Sequence, residues 1–220
     1  SAMVVKLNFD LAPEELTRLR RADSIRRLAQ GRSTTTHHHV IHFDTADLAL
    51  RKRGIELLLR RHDRMWTQEI GRTSTNADDY KAALRHEWPL PKDVLDLSLL
   101  KRTSFRGLLK KKQVRRKLGP VFAIRFRHTV LPLALGADCE AQLHTEVGTT
   151  VAGSREQKVS QARIELKSGD PTRLFAVALE ILRSIPMRLS NVSMEDRAYQ
   201  LLGCPEKPHK AVRTELNRNM

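Results

Sequence analysis

Arg163, Glu165 and Lys167 alternate with Ile164 and Leu166, and the run ends in Ser168-Gly169-Asp170-Pro171. Period-two alternation is a strand pattern, and it places three charges of mixed sign on one face. A solvated barrel lumen or an anion site requires such a face. The pattern recurs. Arg125 and Arg127 share a face between Ile124 and Phe126, and Glu140, Gln142 and His144 alternate with Ala141, Leu143 and Thr145. Near the start, Lys6 and Asn8 alternate with Val5, Leu7 and Phe9. His37-His38-His39 is not read as a metal site, because in a strand His38 opposes the other two; surface or hydrogen-bonded histidines are the reading.

Several short strands with one apolar and one charged face predict an antiparallel sheet closed into a barrel with a polar interior. On pattern alone, an open sheet with a solvated charged face stays open as a reading. The elements that position the charged runs follow in order: a strand at 4–9, a helix from Pro13 to about Gln30, a strand at 38–43 and a short turn or helix at 46–52 closed by Gly54. A hairpin joins 55–61 to 65–70 across His62-Asp63-Arg64, a polar loop fills 72–79, and 80–90 contains another strand. The spacing predicts a mostly helical 94–117, strands at 121–133, 139–147 and 158–167, an amphipathic helix at 171–184 and a last helix at 193–202.

The chain has 220 residues, and its 40 basic and 25 acidic side chains leave a formal net charge of +15. That excess points to polyanionic partners such as nucleic acid, polyphosphate or anionic lipid. No acidic residue occurs between Leu97 and Ala137, a stretch that includes Lys110, Lys111, Lys112, Arg115, Arg116 and Lys117. Those six residues bind polyphosphate or RNA outside the barrel, or they form a solvated helix face; both readings stay open. Two Trp, two Tyr and six Phe, none clustered with the basic run, argue against a base-stacking module, so any nucleic-acid contact rests on phosphates. Cys139 and Cys204 lack a metal-binding pattern and read as reduced thiols of a cytoplasmic protein. No apolar run approaches a membrane span and no signal-peptide pattern opens the chain; Ser1 and Ala2 before Met3 read as a cloning remnant.

Three ordered segments carry a family resemblance: His42-Phe43-Asp44-Thr45-Ala46-Asp47-Leu48-Ala49-Leu50 with Gly54; Pro120-Val121-Phe122 leading to Arg125 and Arg127; and 164–171 followed by Ser193 and Arg197. Together they resemble a CYTH domain of the triphosphate tunnel metalloenzyme family, of the bacterial inorganic triphosphatase type. The resemblance spans a domain at 3–202, and 203–220 resembles a linker into the helical CHAD domain that often follows. It implies an α+β fold built on a closed or nearly closed eight-stranded antiparallel barrel with helices outside. Its lumen would bind inorganic triphosphate or polyphosphate, with Mg²⁺ or Mn²⁺ bridging carboxylate and phosphate oxygens in an active enzyme.

Carried over residue by residue, the resemblance implies phosphate contacts from Lys6, Arg60, Arg85, Arg125, Arg127, Lys167 and Arg197, and metal contacts from Glu140 and Glu165. Arg85 is matched as a pair with Glu87. Several family positions are substituted: two N-terminal glutamates fall on Ala2 and Val4, an arginine on Leu58, a lysine on Gly71, an aspartate on His144, glutamates on Gln161 and Arg163, and a lysine on Met194. Lost carboxylates and an added arginine weaken metal binding, since two like charges ~4 Å apart cost roughly 4 kcal/mol at an effective dielectric near 20. The expectation is therefore a triphosphate- or polyphosphate-binding domain with weak or no metal-dependent hydrolysis. An active Mg- or Mn-dependent triphosphatase, and a non-enzymatic polyphosphate or RNA module using the basic outer helix, are the alternatives.

Overall fold

A computed structural model describes residues 5–73 and 85–203. The readings that fall on 74–84 and 204–220 (most of the polar loop, the start of the strand after it, the linker and Cys204) lie outside the described residues. The strands are β1 (Lys6–Asp10), β2 (Thr34–Asp44), β3 (Ile55–His62), β4 (Met65–Arg72), β5 (Arg85–Leu90), β6 (Gly119–Gly136), β7 (Cys139–Ala152), β8 (Arg155–Ser168) and β9 (Arg188–Leu189). They form one antiparallel sheet in the order β5-β4-β3-β2-β6-β7-β8-β1-β9. Among the described residues the sheet thus has nine strands, not eight, and no hydrogen-bonded pairing closes β5 on β9. The two-residue β9 occupies the free side of β1, where a closing strand would have to pair.

Helices cover both faces. On one face α1 (Pro13–Arg21), α2 (Asp23–Leu28) and α6 (Pro171–Ser184) bury Leu16, Leu19, Ile25, Leu174 and Ile181 against Phe9, Leu133, Leu143 and Ile164. The expected single helix from Pro13 breaks at Ala22, whose backbone is extended. Leu19 and Ile25 are six residues apart and would stand about 120° apart round a continuous helix. The break lets both reach the same sheet face.

Further along the same face, 3-10 turns at Leu97–Arg102 and Ser104–Arg106 and the short α4 (Gly107–Lys110) and α5 (Lys112–Lys117) pack Leu100, Phe105, Leu108 and Val114 on Leu57 and Ile70. The basic outer helix is therefore four short pieces. Thr103 accepts from the Phe105 N–H through its hydroxyl at 3.1 Å, a local bond that competes with continuous helix.

On the opposite face lies α7 (Met194–Leu201), with Ala198 and Tyr199 against Phe122, Ile124, Ala152 and Val159. Ser193 caps it, accepting from the Asp196 N–H at 3.1 Å. Glu195 of α7 senses both Glu56 of β3 and Glu146 of β7, so the start of this helix lies over the middle of the sheet. We call the α7 side concave and the other convex. No helix among the described residues is long and apolar enough to cross a membrane.

Two of the sequence motifs serve this frame. The Asp44 carboxylate accepts from the N–H groups of Thr45, Leu50 and Arg51 at 2.7–3.0 Å and pins the turn from β2 into α3 (Ala49–Lys52). Gly169 has φ +99, and a Cβ there would lie 2.6 Å from the Asp138 carbonyl oxygen, so only glycine turns β8 into α6. Asp170 then caps α6 through the Thr172 N–H at 3.0 Å.

Candidate functional site

Register decides which side chains share the concave face. Asn8 of β1 faces Arg163 of β8, Arg163 faces His144 of β7, His128 of β6 faces Glu146 of β7, and Arg60 of β3 faces Val40 of β2 and Thr67 of β4. From this register the face carries Lys6, Glu56, Arg60, Glu69, Arg85, Glu146, Arg163, Glu165 and Lys167, with His38, His42, His128 and His144 between them.

The charges fall into two groups. Toward β3–β5, Arg85 donates to Glu56 at 2.8 Å and to Glu69 at 2.9 Å, while Arg60 Nε donates to the second Glu69 oxygen at 2.8 Å. All four side chains are mostly buried. Toward β7–β8, Arg163 stands 3.7 Å from Glu146 and 3.6 Å from Glu165, beyond hydrogen-bond distance. Lys167 donates to Glu165 at 2.9 Å. Burial pushes the Glu165 carboxyl up, but the Lys167 hydrogen bond and the charges of Lys167 and Arg163 outweigh it and leave it below its ordinary value.

Histidines join the two groups. His38 stacks on His62 and on Phe126, both at 4.9 Å between ring centroids, and its Nε2 lies 2.9 Å from the Thr36 hydroxyl. His128 Nε2 and His144 Nδ1 are 2.8 Å apart, so one donates and the other accepts. His144 Nε2 lies 3.2 Å from the Gln142 carbonyl oxygen. Burial, then the charges of Arg163 and His128, lower His144 to about 4. Burial, then His62 and Arg60, lower His38 to about 4. His42, fully buried and stacked on Phe122 at 4.4 Å, falls to about 3 through burial and then Arg60. These imidazoles are neutral at pH 7.

Beside the second group a cleft of about 240 Å³ opens, lined by Lys6, Asn8, His144, Glu146, Arg163 and the start of α7. Ser193, Met194 and Glu195 contribute to its wall, so the partial positive end of α7 faces it. Glu195 is raised to about 7 by burial and by the nearby Glu56 carboxylate.

Of the residues singled out in the sequence, Lys6, Arg60, Arg85, Glu165 and Lys167 share this face. Arg197 of α7 pairs with Asp10 of β1 and donates to the Ser190 hydroxyl at 3.2 Å, beside a second cleft rather than the one that holds Lys6. Glu140 sits exposed at a bulge where β7 begins, opposite Ser168.

Arg125 and Arg127 are a correction. They point to the convex face, because their strand partners His39 and His37 oppose His38, and the concave positions of β6 belong to Phe122, Ile124, Phe126 and His128. The reason is α7: it buries the apolar side of the first half of β6 on the concave face, while Leu133 and Leu135 of the second half pack on the convex helices.

The sequence reading missed Glu56, Glu69, Glu146 and His128. Parity with Arg60 would have found Glu56, and the shift in β6 from apolar even to apolar odd positions would have found His128.

The residues do not fit a metal held by protein ligands alone. Among the described residues no group of three or more His, Cys, Asp or Glu side chains is placed to hold an ion. Of the two residues to which the resemblance gives a metal contact, Glu165 already accepts from Lys167 and Glu140 stands exposed at the start of β7, while Glu69 accepts from Arg60 and Arg85.

No protein-family model matches the chain, and no curated protein matches it. Solved structures do. HpAC1 from Hippeastrum, a putative adenylyl cyclase described as having a dominant triphosphatase activity, aligns over 90% of this chain and 96% of its own, with TM-score 0.54 and 17% identity. A putative adenylate cyclase from Bacillus halodurans aligns over 90% and 97%, with TM-score 0.44 and 13% identity. The inorganic triphosphatase NE1496 aligns over 91% and 96%, with TM-score 0.35 and 13% identity. The first alignment establishes a shared fold.

Proposed function

We propose that this chain, which has the fold of HpAC1 and the ordered motifs of the triphosphate tunnel family, binds inorganic triphosphate or the end of a polyphosphate on its concave face, with weak or no metal-dependent hydrolysis. The observation that carries this reading is the cleft where Lys6, Arg163 and the first turn of α7 converge. Phosphoryl oxygens are hard, multiply charged acceptors, matched by a guanidinium fork, an ammonium and the partial positive charge of a helix start. Arg163 is the movable element, since neither Glu146 nor Glu165 holds it at hydrogen-bond distance. Arg60 and Arg85 act behind it by fixing Glu69 and Glu56, and Lys167 by fixing Glu165.

Hydrolysis asks for more than binding. In the resembled family a divalent ion polarises the phosphate and positions the attacking water. Here Glu69 and Glu165 are bonded to arginine and lysine, which leaves fewer carboxylates to hold such an ion, so Mg²⁺ would arrive with the bound substrate.

A thermal-shift titration with tripolyphosphate, with and without Mn²⁺, tests the reading alongside a phosphate-release assay. Stabilisation of about 2.7 kcal/mol is expected at a ligand concentration 100 times Kd, without metal. Arg163→Gln should remove most of it, because charge-assisted hydrogen bonds of this kind contribute roughly 1.5–3 kcal/mol each. No shift at all would overturn the binding site. Clear metal-dependent phosphate release would overturn the claim of weak hydrolysis while leaving binding intact.

One observation favours the second reading, an active hydrolase. Glu195 lines the cleft, and a carboxyl raised to about 7 suits a general base at neutral pH. Under that reading Glu195→Gln abolishes phosphate release and spares binding. Under the first, there is little release to abolish.

A further inference from the structure

Arg125 and Arg127, absent from the concave face, have a setting of their own on the convex one. There Trp66 of β4 stands opposite Arg61 of β3, Arg61 opposite His39 of β2, and His39 opposite Arg125 of β6. One row thus reads ring, guanidinium, ring, guanidinium across four adjacent strands, a span of about 14 Å. The neighbouring row repeats the motif with His37 opposite Arg127.

Arg61, Arg125, Arg127 and His37 are exposed, and His39 and Trp66 are half-buried. The His39 and Trp66 rings meet edge-on, 5.6 Å between centroids. The Arg61 Nε donates to the Asp63 carbonyl oxygen at 2.7 Å. Among the described residues no carboxylate forms an ion pair with Arg61, Arg125 or Arg127, unlike the arginines at Glu69. Asp93 is the acidic group that His39 feels, but burial and then Arg125 and Arg61 keep that imidazole below its ordinary value and neutral at pH 7. Neither convex core cluster includes this strip.

We propose that this strip is a binding platform for single-stranded nucleic acid, with the guanidiniums on the phosphates and Trp66 and the imidazoles on the faces of the bases. Alternation of rings and cations is what single-strand platforms need, since each nucleotide offers one charge and one π-face. A bare phosphate chain would use the cations and leave the rings idle. Trp66 is remote in sequence from the basic run, and only the register of β3, β2 and β6 brings it alongside Arg61 and Arg125. The net charge of +15 adds long-range attraction.

The test is fluorescence anisotropy of a labelled single-stranded oligoribonucleotide with the full chain, in excess tripolyphosphate to fill the concave cleft. Binding should survive the tripolyphosphate and weaken steeply with salt. Arg125→Gln with Arg127→Gln should cost about tenfold or more in affinity, and Trp66→Ala about tenfold. The double variant should keep the tripolyphosphate-induced thermal shift, which separates this surface from the concave one. If Trp66→Ala does not fold, Trp66→Leu keeps apolar bulk without a ring face and gives the same readout. No binding, loss of binding to tripolyphosphate, or affinity unchanged in the double variant would overturn the platform. Equal displacement by a long polyphosphate together with no effect at Trp66 would also overturn it, in favour of a general polyanion surface.

Discussion

At the β3–β5 side of the concave face, Arg85 spans Glu56 and Glu69 at 2.8 and 2.9 Å with only 11% of its side chain exposed. At the β7–β8 side, Arg163 stands 3.7 and 3.6 Å from Glu146 and Glu165 with 28% exposed. Both places offer a guanidinium between two glutamates. In the first, burial makes each partner essential to the other, because an unpaired charge there has no water to turn to. In the second, longer distances and more water leave the arginine able to exchange a carboxylate for a phosphate. The two groups teach that residue type alone does not assign a charged side chain to structure or to binding; distance and burial do.

The largest effect should come from breaking the tight group. Glu69→Ala removes the carboxylate shared by Arg60 and Arg85, and losing one partner of a buried pair costs about 3–5 kcal/mol. For a domain of this size that lowers Tm by roughly 10 °C. Calorimetry or far-UV melting reads it. A loss no larger than about 1 kcal/mol would mean that both groups are equally loose.

Next in size is the pH response of a single histidine, His144, one of those that lie between the groups. His38, His144 and His42 have folded values of about 4, 4 and 3, well below the ordinary 6.5. As pH falls from 6.5 toward 4 the unfolded chain takes up protons that the folded one refuses, so stability drops through that window. His144, facing Arg163, Glu165, Lys167 and His128, contributes on the order of 3 kcal/mol. Glu195 works in the opposite sense. Its folded value near 7 lies above the ordinary 4.5, so its contribution is present at low pH and is lost as pH rises through 7. Three depressed histidines outweigh one raised carboxyl, and net stability should rise from pH 4 to 6.5. His144→Gln should flatten that rise in a series of denaturant melts, and Glu195→Gln should steepen it. A rise unchanged in His144→Gln would place the imidazole in water.

The strands were legible wherever alternation was strict. The hairpin across His62-Asp63-Arg64, the turn at Gly169 and the last helix at Ser193 all lie where sequence patterns put them. The same parity puts Arg163, Glu165 and Lys167 together on one face of β8. Inward and outward were not legible, because period two divides a strand into two faces without saying which one is covered. Arg125 and Arg127 went astray for that reason. A lumen place for Arg125 and Arg127 implies an outward Ile124 and Phe126, whereas α7, some seventy residues later, covers both on the concave face. The 94–117 segment misled differently: its leucines are helically spaced, but the Thr103 hydroxyl and the extended Lys111 break it into short turns.

The smallest effect should come from Lys167, and it probes the loose group directly. Its ammonium bonds Glu165 at 2.9 Å, as short as the bonds in the tight group, yet 45% of its side chain is exposed. Distance alone predicts that Lys167→Met resembles Glu69→Ala. Burial predicts that it costs no more than about 1 kcal/mol, since water solvates both charges when the pair is lost. We expect the second, a fall in Tm of roughly 3 °C or less. The same variant should raise the Glu165 carboxyl, because the Lys167 hydrogen bond and charge help hold it down, and an NMR titration of Glu165 would show the shift. A large loss of stability with no change in that titration would put Lys167 in the buried class, and exposure would then no longer distinguish the two ends of the concave face.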